Sequence, residues 1–132
     1  MPNLTSEQVT SIAKLLNRIA NSVEGYRDQN YSQMSSAQRS DIENLRDQIL
    51  EQSNKLYTES TILVMDDVQN SLAIIEKVTS EIQETYKNLQ NIQKAIDIAS
   101  SVLNLGAAIL SKNLPAIGKS IDELVKNVKN IL

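Results

Sequence analysis

The sequence predicts an all-α protein: an elongated antiparallel bundle of about four long, coiled-coil-like amphipathic helices. Three observations carry this expectation. Only three glycines and two prolines interrupt 132 residues, so little in the chain forces the backbone out of a helix. Apolar residues recur at steps of three and four over most of the length, the spacing that lines one side of a helix. Where apolar runs begin, Ser, Thr or Asn stands in a capping position. The length fits a single domain, 1–132, and a hydrophobic share of 41% supplies a modest core.

The first helix is expected over 6–30. Thr5 is its N-cap, Gln8 completes a capping box, and Leu4 faces Val9 as a hydrophobic staple. Val9, Ile12, Leu16, Ile19, Val23 and Tyr26 form its seam. The polar stretch 29–36 has no apolar period and is rich in side chains that bond their own backbone, so it is a loop. Ser35 with Gln38 opens a second helix over 36–57, with Ile42, Leu45, Ile49 and Leu56 turned inward.

From Ile62 to Ile96 the three/four step continues, which predicts a third helix over 60–111. A straight helix of that length would run about 75 Å at 1.5 Å per residue. It is therefore either the spine of a rod or divided, near Asn70 or at a Ser80–Gln83 capping pair. Lys112, Asn113, Leu114 and Pro115 mark the clearest break, combining a C-terminal cation, a turn-former and a proline suited to a first helical turn. A last helix over 115–131 follows, with Ile117, Ile121, Leu124, Val128 and Ile131 on one side.

Composition narrows the function classes. A formal charge of −3 offers no basic footprint, so no nucleic-acid partner is expected. The chain holds no Cys, His, Trp or Phe. Without His or Cys it lacks the usual soft-metal ligands and the usual nucleophile–base pairs, and it carries no Gly-rich phosphate loop. Asp66 and Asp67 are adjacent, so on a helix they point about 100° apart and cannot share a site. Glu81 and Glu84 form an i, i+3 pair, yet a di-iron site of the bundle type also needs Glu-x-x-His. The expectation is a non-enzyme with no catalytic residues, no metal and no cofactor. The N-terminal residues show no signal-peptide pattern, which predicts a cytoplasmic location, with non-classical export as the alternative.

One segment stands out. Between Ile98 and Ser111 there is no charged residue, and Ile98, Val102, Leu105 and Ile109 share the helix with Ala99, Leu103, Gly106 and Leu110 on the other side. A helix apolar all round is buried centrally or placed in a membrane. Gly106, Ala107 and Ala108 suit close helix contact. The following helix is amphipathic, with Lys119, Lys126 and Lys129 opposite its apolar side. The candidate interaction or membrane face is therefore Ile98, Val102, Leu105, Ile109, Ile117, Ile121, Leu124 and Val128.

The expected function is protein–protein association, as a scaffold, adaptor or assembly subunit that pairs with a protein partner or with copies of itself. Asn, Gln, Ser and Thr together make 44 of 132 residues, a composition that covers solvated helix faces or a wet interface. The alternative is a membrane-active protein that inserts the 98–131 hairpin. The apolar helix followed by a Lys-bearing amphipathic one resembles part of the helical pore-forming toxins over less than a third of the chain, and that resemblance implies a membrane target.

Overall fold

Side-chain caps set where four of the five described α-helices begin. A computed structural model describes residues 3–58, 63, 65 and 67–129, and shows α1 (Ser6–Gln29), a 3-10 turn (Tyr31–Gln33), α2 (Ser36–Thr58), α3 (Val68–Asn88), α4 (Ile92–Ser111) and α5 (Leu114–Lys129). No β-strand occurs among the described residues. The Thr5 capping box is formed in both directions: the Gln8 amide N–H donates to Thr5 Oγ1 at 3.1 Å, and the Thr5 N–H to Gln8 Oε1 at 2.8 Å. Ser35 and Gln38 repeat the arrangement at α2.

The expected helix over 60–111 is two helices, α3 and α4, so the described residues hold five α-helices rather than four. The break lies at 89–91, not near Asn70 or Ser80. Leu89 leaves the helix in an extended conformation, and the Asn91 side chain accepts the Lys94 N–H as the cap of α4. Tyr86 then reaches across the turn and donates from its hydroxyl to the Ala95 carbonyl at 2.8 Å. The three/four spacing of Tyr86, Leu89, Ile92 and Ile96 in the sequence runs across these three non-helical residues. The expected helix start at 60 falls outside the described residues at Glu59–Ile62, and the first helical residue of α3 is Val68.

Between α4 and α5 the turn is tight. Lys112 adopts a left-handed conformation (φ 61°) and donates to the Ile109 carbonyl, while the Asn113 N–H reaches the Ala108 carbonyl. These two bonds make a Schellman ending. Asn113 next caps α5, accepting from the Ala116 N–H, with Pro115 in the first turn where no donor is missed.

The helices share one hydrophobic cluster. α1 packs on α2 and α3, α2 on α4, and both α4 and α3 on α5, so neighbouring pairs close a ring in the order α1, α2, α4, α5, α3. α3 and α4, consecutive in sequence, pack mainly on other helices. The accessible surface of 7062 Å² is close to the ~6,900 Å² typical of a monomer of this mass.

Polar side chains tie most of these contacts. The buried Ser53 hydroxyl donates to the Ala13 carbonyl, Gln52 Nε2 to the Leu103 carbonyl, Asn127 Nδ2 to the Ser101 hydroxyl, and Arg18 to Gln83 Oε1. Gln52 lies directly against Gly106: a Cβ there would sit 2.0 Å from Gln52 Oε1. Gly106 thus lets an amide side chain from α2 reach the α4 backbone. Gly106→Ala should lower stability in the native background, since Gln52 must give up its bond to Leu103. In a Gln52→Ala background the same change should raise stability by about 1 kcal/mol through helix propensity. Chemical denaturation of the four chains of this double-mutant cycle reads the change of sign.

Candidate functional site

The eight residues of the predicted face lie inside the protein. Ile98, Val102, Leu105 and Ile109 on α4, and Ile117, Ile121, Leu124 and Val128 on α5, are all buried. They are brought together, but against each other and the rest of the core rather than toward solvent. α4 is long and apolar enough to cross a membrane by length and composition, and about half of it is buried in the fold. The amphipathic side of α5 faces outward, with Lys119, Asp122, Glu123, Lys126 and Lys129 exposed.

Of the carboxylates singled out in the sequence, Asp66 lies outside the described residues. Asp67 sits in a left-handed conformation (φ 43°) just before α3 and makes no side-chain cap. No group of three or more His, Cys, Asp or Glu capable of holding a metal occurs among the described residues. Glu84 is paired with Lys87 at 3.1 Å, whereas Glu81 makes no ion pair or hydrogen bond among the described residues.

Glu81 lines an open groove of about 1050 Å³ on the outer side of α3. Lys77, Glu81, Glu84 and Thr85 form one wall, and the turn with Leu89 and Lys94 closes the end. Lys77 to Asn88 covers about 16 Å of helix, or three turns. The groove exists because α3 and α4 pack on different neighbours beyond their shared turn. Thr85 is only 8% exposed, and its hydroxyl has no partner. A buried hydroxyl without a bond is uncommon and costly.

A second feature lies where the 3-10 turn joins α1 to α2. Among the described residues, Tyr31 and Tyr57 are the exposed large hydrophobics, at 44% and 50%. The Arg39 guanidinium stacks 3.9 Å from the Tyr31 ring centroid while donating two hydrogen bonds to the Tyr31 carbonyl, and Arg27 lies 5.2 Å from the same ring. A hydrogen bond to Glu43 pushes the Arg27 guanidinium further up from its ordinary value. Sequence spacing pointed to neither feature. Thr85 falls on the buried side of α3, and the Tyr31–Arg39 pair depends on the turn between them.

Tyr26 and Tyr86 pack together in the core, ring centroids 5.3 Å apart. Burial pushes both hydroxyls up from their ordinary value, and the neighbouring Tyr26 adds to the effect on Tyr86. The Tyr26 hydroxyl has no partner, in contrast to the Tyr86–Ala95 bond.

Comparison of the chain with protein-family models, curated proteins and solved structures finds no match.

The tyrosine pair separates two effects. Tyr86→Phe should cost about 1 kcal/mol for its lost hydrogen bond, and Tyr26→Phe should be neutral or slightly stabilising because its hydroxyl gains no bond on burial. Both folded-state values are raised above the unfolded value near 10. The stability they supply is therefore full below about pH 10 and falls as pH rises above it, since the unfolded chain ionises first. Urea melts between about pH 8 and about pH 11 should show this decline, and Tyr86→Phe should reduce it.

Proposed function

We propose that this chain is a non-enzymatic protein-association subunit: an antiparallel helical bundle that keeps its apolar side chains in its own core and uses its outer helix surfaces to bind a protein. The observation that carries this reading is the groove along α3, about 1050 Å³, with an unpaired Glu81 and an unpartnered Thr85 hydroxyl in its wall. The Tyr31–Arg39 stack supports it, because Tyr and Arg are enriched where protein interfaces concentrate their binding energy. The buried positions of Ile98, Val102, Leu105 and Ile109 support α4 as a core helix in the folded state.

A second reading is a membrane-active protein that opens to release α4 and α5. The length and composition of α4 favour it. Insertion would require the α4 contacts with α2 to break, the Gln52–Leu103 bond among them.

Co-flotation with neutral and anionic liposomes, together with dye leakage and light-scattering mass, separates the two. Association predicts no flotation, no leakage and a defined mass in solution. Flotation with leakage would replace it with the membrane reading. Leu105→Asp places a carboxylate at a 2% exposed position and should unfold the chain, at a cost of about 4 kcal/mol or more. Circular dichroism reads that outcome. A folded Leu105→Asp protein that no longer binds lipid would instead support insertion.

A further inference from the structure

We infer that the α3 groove is the docking site for an amphipathic helix of a different protein, one that places a lysine or arginine on Glu81 between apolar residues. This rests on the association reading and names the partner's chemistry.

The shape points to a helix. The groove runs beside about three turns of α3 and is open along its side, which suits a short helix laid alongside rather than a small molecule enclosed in a pocket. Apolar contact comes from Leu89 and the aliphatic stems of Lys77 and Lys94. The charges define the partner further. Glu84 already holds Lys87, so Glu81 is the half-buried carboxylate in this wall left for a cation. Thr85, one turn further along α3, supplies a hydroxyl with no bond inside the fold. Lys77 and Lys94 at the margins have no acidic partner among the described residues, and they match acidic residues flanking the partner's cation.

A second copy of this chain is the poorer occupant. Its helices turn their apolar stripes into its own core, and its exposed large hydrophobics among the described residues, Tyr31 and Tyr57, lie outside any helical stripe that could fill the groove. The occupant is therefore another chain with a free apolar helix face.

The test uses the intact protein, isotope-labelled for amide NMR. The probe is an amphipathic peptide of about three turns with leucines at i, i+3 and i+7 and one central lysine flanked by glutamates, beside a twin with glutamate at the centre. The lysine peptide should bind saturably, with shifts confined to residues 77–94. The glutamate twin should not bind, and Glu81→Gln should weaken the lysine peptide about tenfold while leaving the thermal midpoint unchanged. Thr85→Val should also weaken it, with the fold checked in the same spectra. Absence of saturable shifts, shifts elsewhere on the surface, or equal binding by Glu81→Gln would overturn the docking site. The association reading fails on a separate result, flotation with leakage, so the two failures are distinguishable.

Discussion

The apolar character of α4 on nearly all its sides is the constraint that organises the other helices. From Ile98 to Ser111 this helix carries no charge, and ten of its residues are buried. Water cannot be left against either of its opposite faces without large loss of apolar burial, so it must be walled from both. α2 covers one side and α5 the other, with α1 touching it across the ring. Covering α4 in this way commits α5 to fold straight back. The left-handed Lys112 and the Asn113 cap make that reversal in a few residues. α5 then occupies the space between α3 and α4, and α3 is left with an outer flank that none of the described helices covers.

Apolar burial is nondirectional, so it drives these helices together without deciding their alignment. The alignment comes from a small set of side-chain bonds to backbone or side-chain partners on the neighbouring helix: Ser53 to Ala13, Gln52 to Leu103, Asn127 to Ser101, Arg18 to Gln83. Each contributes only about 1 kcal/mol net. A slipped register would leave the buried Gln52, Ser53 and Ser101 groups unbonded, which costs more than the bond supplies. Small polar residues scattered through otherwise apolar seams thus discriminate among packings of similar hydrophobic content.

The sequence and the structure agree most closely where the signal is local. The capping boxes at Thr5 and Ser35 involve residues three apart, and the Pro115 break follows from the fixed geometry of proline. The periodic apolar positions of α4 and α5 were expected as an interaction or membrane face, and they lie in the core of the fold. The turn at 89–91 was hidden because the three/four spacing of apolar residues from Tyr86 to Ile96 continues across it in the sequence. A helix spacing rule registers facing, not continuity. The groove was hidden for another reason: it depends on α3 and α4 choosing different partners, a long-range outcome. Glu81 was visible as half of a carboxylate pair, and both Lys77–Glu81 and Glu84–Lys87 have the spacing of a helix ion pair, but the sequence did not show that only the second would form.

The tyrosine pair gives the molecule a spectroscopic identity. With no tryptophan in the chain, all of its near-ultraviolet absorption and intrinsic emission comes from four tyrosines, two of them exposed and two in van der Waals reach of each other between α1 and α3. Rings whose centroids lie 5.3 Å apart and tilted by 46° are close enough to couple their transitions, so this contact contributes to the circular dichroism of this region. Any event that parts α1 from α3, whether heat, denaturant or a lipid surface, is written directly into that band, without a label and without a substitution.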